Sequence, residues 1–387
     1  ISTPRASRRQ RQMCIRDRSS LPDGFKVHPK IDAIMRRRNA MISGKQKIDW
    51  ATAEALAYAS LLTTGCSVRL TGQDSERGTF AHRHAVLHDV NTGARYTPLE
   101  TIADCGQERF SLHNSPLTES AVLAFEFGYS IDACNALVIW EAQFGDFANA
   151  AQVIIDQFII SSESKWQQPS GLVLLLPHGL EGQGPEHSSA RPERFLQLCA
   201  CENVEIVQLT TASQIFHRLR LQGMCSSCKP LIVFTPKRLL HHACAFSSLD
   251  ELSNGGFREV IACDATGEVE QILLCSGQLA AELEAEKHKR QAPIAIVRLE
   301  QFYPFPTAAL ESVLGKYPNE AVLTWIQEEP ENMGAWRWLR PQLEMLLNSR
   351  TLRCIARPER VSPATGSSAI HQCEQQQLLE RAFLPLS

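Results

Sequence analysis

The sequence predicts an α/β protein built of two doubly wound domains. Three observations carry that expectation. Strand-length and helix-length patterns alternate from Val27 onward, several strand patterns are apolar without interruption, and the alternation restarts after a polar, glycine-paired break near residue 250. At 387 residues and 44% hydrophobic content, the chain can bury a sizeable core and is long enough for two domains.

The elements follow in order. Residues 48–64 read as a helix, because Trp50, Leu56, Ala57 and Leu61 fall near a 3.6-residue period. Residues 67–71 form a short strand closed by the polar turn Gly72-Gln73-Asp74. Ser115 offers an N-cap and Pro116 a first helical position, so a helix is expected over 116–129. Strands at 136–140, 171–176, 204–209 and 231–235 alternate with helices at 147–165, 191–199 and 212–221, which implies a mostly parallel sheet covered on both faces. Residues 247–256 read as a linker. Beyond it come strands at 271–275, 294–298 and 321–326, with a helix over 277–287. The expected division is a separate segment at 1–20, a first domain at 21–250 and a second at 251–387.

A formal net charge of −3 argues against nucleic acid or an anionic membrane as the main partner. No apolar run approaches the ~20 residues of a membrane span. Thirteen cysteines, scattered from Cys14 to Cys373 without a small-scaffold framework, read as reduced thiols. The Arg-rich stretch from Arg8 to Arg18 back-translates as one contiguous string that resembles a sequencing-library adapter. That reading is preferred to an Arg-rich targeting peptide, and it places the natural N-terminus upstream.

Four segments concentrate polar groups where strands end, the usual ligand edge of an α/β sheet. Asn114-Ser115-Pro116-Leu117-Thr118-Glu119 puts Glu119 in a first helical turn, either as a site carboxyl or as a charge favouring the helix dipole. Trp140-Glu141-Ala142-Gln143-Phe144-Gly145-Asp146-Phe147 sets two phenylalanines around a strand-to-helix corner, where they could stack on a planar heterocycle or simply fill core. The loop from Pro177 to Arg191 holds three glycines between His178 and His187, and His187 could bind an anion or shuttle a proton. It lacks the spacing of a nucleotide-phosphate loop. Gly72 to His84 ends in His82-Arg83-His84, a weak metal signal without a third ligand. Cys225-Ser226-Ser227-Cys228 with His241 and His242 is weaker still, and a plain reduced loop is preferred.

Taken together and in this order, these segments resemble the 2-oxoglutarate dehydrogenase E1 family. The resemblance rests on Leu117-Thr118-Glu119-Ser120, Trp140 to Asn149, Leu-Leu-Pro-His-Gly from Leu175, and Gly182 to Arg191. It continues through Pro-Leu-Ile-Val-Phe-Thr-Pro-Lys from Pro230, Val297 to Pro306, Gln327 to Trp336 and Ser-Pro-Ala-Thr-Gly from Ser362. It implies a transketolase-like pyrimidine-binding domain followed by a transketolase C-terminal-like domain.

The resemblance further implies thiamine diphosphate as cofactor. Glu119 would hydrogen-bond the pyrimidine ring nitrogen and so promote loss of the thiazolium C2 proton, Phe144 and Phe147 would pack against the pyrimidine, and His187 would meet the 2-oxo acid. No Gly-Asp-Gly followed by a distant Asn is present, so the Mg2+ and diphosphate site is expected on an upstream domain and no metal residue is assigned. The implied partners are a second E1 copy and the E2 dihydrolipoyl succinyltransferase, with neither nucleic acid nor membrane. The implied compartment is cytoplasm in a bacterium or mitochondrial matrix in a eukaryote. Two alternatives stand beside 2-oxoglutarate decarboxylation by a truncated, inactive E1 chain: a 2-oxoadipate E1, and a separate β-type subunit. The Phe147-Ala148-Asn149 corner favours 2-oxoglutarate. The segment around Cys225 to Cys228 interrupts a stretch that is basic in the family, without explanation.

Overall fold

The computed structural model describes residues 21–102, 109–133, 135–225, 229–263, 269–347 and 350–384. The Arg-rich start and Cys228 lie outside them. In chain order the strands are β1 Ser67–Gly72, β2 Leu87–His88, β3 Arg95–Tyr96, β4 Phe110–Asn114, β5 Ala136–Glu141, β6 Val173–Pro177, β7 Glu205–Val207 and β8 Leu231–Thr235. They are followed by β9 Val260–Ala262, β10 Gln271–Cys275, β11 Ile294–Leu299, β12 Gln301–Tyr303, β13 Val322–Pro330 and β14 Leu352–Arg357.

Seven strands form the first sheet in the order β12-β7-β8-β6-β5-β1-β4. All pairs are parallel except β12 with β7. Five form the second, in the order β14-β13-β10-β11-β9, with only β9 antiparallel. The α/β architecture read from the sequence is therefore the one observed. Strand β12 follows β11 of the second sheet after a single residue yet completes the edge of the first, so the two halves are stitched together.

Period-two alternation explains how β6 is buried on both faces. Leu174 and Leu176 enter one core cluster, whereas Val173 and Leu175 enter another. The first cluster also takes in Ile272, Leu274, Val297 and Trp325 of the second sheet, so the halves share apolar packing. Each fully buried Leu or Val contributes about 1.5–3 kcal/mol of transfer free energy.

Three local expectations are corrected. The helix predicted at 116–129 is Glu119–Asp132, with Thr118 rather than Ser115 at the N-cap position and no side-chain capping bond there; the Ser115 hydroxyl accepts instead from the Leu117 amide at 3.2 Å. The helix predicted at 147–165 is broken into a 3-10 segment Gly145–Ala151, a π turn Ile155–Ile159 and a short helix Ser162–Trp166. Ile155, Ile159 and Ile160 of this segment all enter the core. The predicted linker contains the helix Leu249–Asn254, started by a capping box between Ser248 and Glu251 and anchored by buried Leu252.

Candidate functional site

Parallel registry aligns the C-terminal ends of β1, β5, β6 and β8. Gly72 lies opposite Glu141, Glu141 opposite Leu175, and Pro177 opposite Thr235. The polar segments singled out in the sequence leave the sheet from these ends. Two glycines allow their close approach. A Cβ on Gly72 would sit 2.2 Å from the Glu141 carbonyl oxygen, and one on Gly145 would sit 2.5 Å from both Ala190 Cβ and the Pro177 carbonyl oxygen.

Phe144, Phe147 and His187 meet in one cluster. The Phe144 ring is 4.5 Å from His187 and 5.7 Å from Phe147, and Phe147 is 5.8 Å from His187. Phe80 adds a fourth ring at 5.8 Å from Phe144. The three neighbours meet Phe144 at 76–89°, so none of them stacks parallel on its face. All three cluster residues named from sequence are thus brought together, and none is sealed in the core.

Glu119 begins its helix at the same end of the sheet. Its Oε1 accepts from Gln73 Nε2 at 3.2 Å, and Gln73 directly follows β1. The helix is tied to the aromatic turn through the Ser120 hydroxyl, which donates to the Ala150 carbonyl at 2.5 Å. A carboxylate at a helix N-terminus also gains from the dipole.

Beneath the site lies a buried ionic network that sequence reasoning did not assign. Arg83 donates to Glu54 at 2.6 and 3.1 Å, to both oxygens of Glu141 at 2.6 Å, and to the Ser75 carbonyl at 3.0 Å. Burial acts to strip the Arg83 proton, but Glu141 and Glu54 outweigh it and hold its pKa well above the ordinary value. Arg38 braces the segment from outside, donating to the carbonyls of His82 and Arg83 at 2.8 and 2.6 Å. The signal that could have exposed this network is Glu54, a lone carboxylate inside the otherwise apolar helix Trp50–Thr63. His82 and His84 do not converge: His82 is buried beside Gly78, and His84 Nε2 contacts the Ala81 carbonyl at 2.9 Å. No group of three or more His, Cys, Asp and Glu side chains able to hold a metal occurs among the described residues. His242 Nδ1 pairs with Cys244 Sγ at 2.8 Å, and the nine cysteines among the described residues are free thiols.

The loop bearing His187 rests on a second buried cluster. Asp146 Oδ1 accepts from the Ser189 amide at 3.2 Å, and burial raises its carboxyl pKa. His178 Nδ1 accepts from the Ala190 amide at 3.1 Å, while Nε2 faces Glu329 Oε1 at 2.7 Å. The amide occupies Nδ1, so the ring proton lies on Nε2 and is donated to Glu329. Glu328, the next residue, accepts from the Leu180 amide at 3.1 Å and from Gln278 at 3.0 Å; burial and Glu329 push its pKa up to about 7. Lys237 Nζ donates to the His187 carbonyl at 2.9 Å and to Gln183 Oε1 at 3.1 Å. His178 and Lys237 lie in segments the sequence had marked, but nothing in their local pattern distinguished them from ordinary strand-end residues.

Comparison with known proteins agrees with this architecture. The family model described as "Transketolase, pyrimidine binding domain" matches residues 46–242, and that described as "2-oxoglutarate dehydrogenase C-terminal" matches residues 246–383. The chain is similar to the 2-oxoglutarate dehydrogenase E1 component of Geobacillus sp. (strain WCH70), 48% identical over 372 residues, and to that of Bacillus cereus (strain AH820), 46% identical over 377 residues. Each alignment covers 94% of this chain but 39% of the relative, so the chain spans about two-fifths of the length of the curated relatives it matches. With both models matched in order over a two-sheet α/β fold, the chain belongs to the 2-oxoglutarate dehydrogenase E1 family, as a transketolase pyrimidine-binding domain followed by the 2-oxoglutarate dehydrogenase C-terminal domain.

Proposed function

We propose that this chain supplies the pyrimidine side of a thiamine-diphosphate site in an enzyme that decarboxylates 2-oxoglutarate and passes the succinyl group to the lipoyl group of an E2 dihydrolipoyl succinyltransferase. The observation that carries the reading is the convergence, at one sheet end, of Glu119 with the Phe144, Phe147 and His187 cluster. The residues fit the cofactor's aminopyrimidine. Glu119 engages Gln73 through one oxygen, leaving the other for a ring nitrogen, and among the described residues no ring stacks parallel on Phe144. When bound, the cofactor supplies the electron sink for loss of CO2.

The chain's own contribution is placement and proton control. Glu119 holds a proton at the pyrimidine nitrogen, Phe144 and Phe147 fix the ring plane, and His187 faces the 2-oxo acid as hydrogen-bond donor. The proposal assigns Mg2+ and diphosphate to another domain. It also assigns a second copy of the chain as partner, on two exposed aromatic pairs, Phe125 with Tyr129 and Phe158 with Trp166, since exposed apolar surface marks association sites. No helix among the described residues is long and apolar enough to cross a membrane.

The test assembles this chain with the portion of the Geobacillus relative that it does not match. The assembly should release CO2 from 2-oxoglutarate only with thiamine diphosphate and Mg2+ present, and faster than from 2-oxoadipate. Preference for 2-oxoadipate would move the substrate; release independent of the cofactor would overturn the reading.

A further inference from the structure

We infer that Lys237 is a positioning residue for His187, acting as a buried clamp that holds the 183–190 loop in its working shape. The inference rests on the role proposed above for His187. Lys237 leaves the sheet two residues beyond the end of β8 and is only 4% exposed. An ammonium so buried is costly unless it is hydrogen-bonded, so its partners point to its use. Both partners belong to the loop: the His187 carbonyl at 2.9 Å and Gln183 Oε1 at 3.1 Å.

The loop provides little rigidity of its own. Within it, the His187 amide donates to the Gly184 carbonyl at 3.0 Å and the Ser188 hydroxyl to the same carbonyl at 2.8 Å. Further ties reach it from Asp146 and His178, which accept from the Ser189 and Ala190 amides, and from the Gly179 amide, which donates to the Ser188 carbonyl at 3.0 Å. These hold the C-terminal side of the loop. The Lys237 ammonium bridges Gln183 and His187, fixing the main chain at the residue whose imidazole packs 4.5 Å from Phe144. Its neighbour continues the clamp, since the Arg238 amide donates to Glu181 Oε1 at 2.8 Å.

Two variants test this. Lys237→Met keeps the apolar stem and removes the donors; Lys237→Arg keeps charge and donors. Hydrogen exchange in Lys237→Met should accelerate about ten- to a hundredfold at the amides of residues 187–190, the effect of losing a charged hydrogen bond. Strands β6 and β8 should exchange as before, and Lys237→Arg should restore most of the loop's protection. Unchanged loop exchange, or equal acceleration in β6 and β8, would overturn the clamp.

In the assembled enzyme, Lys237→Met should lower kcat/KM for the 2-oxo acid without changing affinity for thiamine diphosphate. Combined with His187→Ala, it should add nothing further; multiplied losses would show that Lys237 does not act through His187. If the wild-type assembly turns over no 2-oxo acid, the functional reading fails, and the exchange experiment still decides the clamp.

Discussion

Replacing Arg83 with Met removes the only described cation bonded to two buried carboxylates, Glu54 at 2% and Glu141 at 6% exposure. Four nitrogen–oxygen contacts of 2.6 to 3.1 Å disappear at once. Breaking a buried pair by deleting one partner typically costs ~3–5 kcal/mol, because the survivor stays desolvated and unpaired. Here two survivors also repel each other, so the upper half of that range is expected. At roughly 2–4 °C per kcal/mol for a mid-sized domain, the melting temperature should fall by about 8–20 °C.

Arg83→Met with Glu141→Gln should recover part of the loss, because it removes one of the two unpaired carboxylates. The assay is thermal unfolding by circular dichroism. A fall of less than about 3 °C, or no recovery in the double variant, would refute the account of the network.

Other perturbations separate neighbouring effects. Glu328 has its pKa raised to about 7, so the stability it contributes is full below the ordinary carboxyl value near 4.5 and lost as pH rises through 7; Glu328→Gln should flatten denaturant-measured stability across that window. Ser248→Ala should cost about 1 kcal/mol by opening the capping box, with the midpoint of urea unfolding as its measure. In the assembled enzyme, His187→Ala should impair 2-oxoglutarate turnover while thiamine diphosphate binds normally in calorimetry, and a matched loss of cofactor affinity would mean that the loop had collapsed.

Legibility in the sequence followed the uniformity of the local pattern. Strands β8 and β10 stand at the bounds read from sequence, because each is a continuous apolar run between polar turns. Strands β9 and β12 have three residues each, too few to show a period, and both are edges paired through distant segments. The capping box at Ser248 and Glu251 was hidden in plain composition, where polar residues read as linker. For the site, one contiguous segment carries Phe144 and Phe147, whereas His187 comes from the loop after the next strand and is brought to them by the fold. Arg83 escaped assignment because its partners come from a helix 29 residues earlier and a strand end 58 residues later. Such pairings are set by topology, which no local window contains.

The most direct test of the proposed chemistry is exchange of the thiamine C2 proton in the assembled enzyme, wild type against Glu119→Gln. Gln preserves length and a hydrogen-bonding group at the helix N-terminus but cannot share an acidic proton with the pyrimidine nitrogen. A positioned acid or base contributes about 10²–10⁴-fold, so exchange followed by NMR should slow by at least a hundredfold with an almost unchanged melt. A carboxylate that served only the helix dipole would instead cost ~0.3–1 kcal/mol of stability. Normal exchange beside a lowered melting temperature would contradict the assignment of Glu119 to the cofactor.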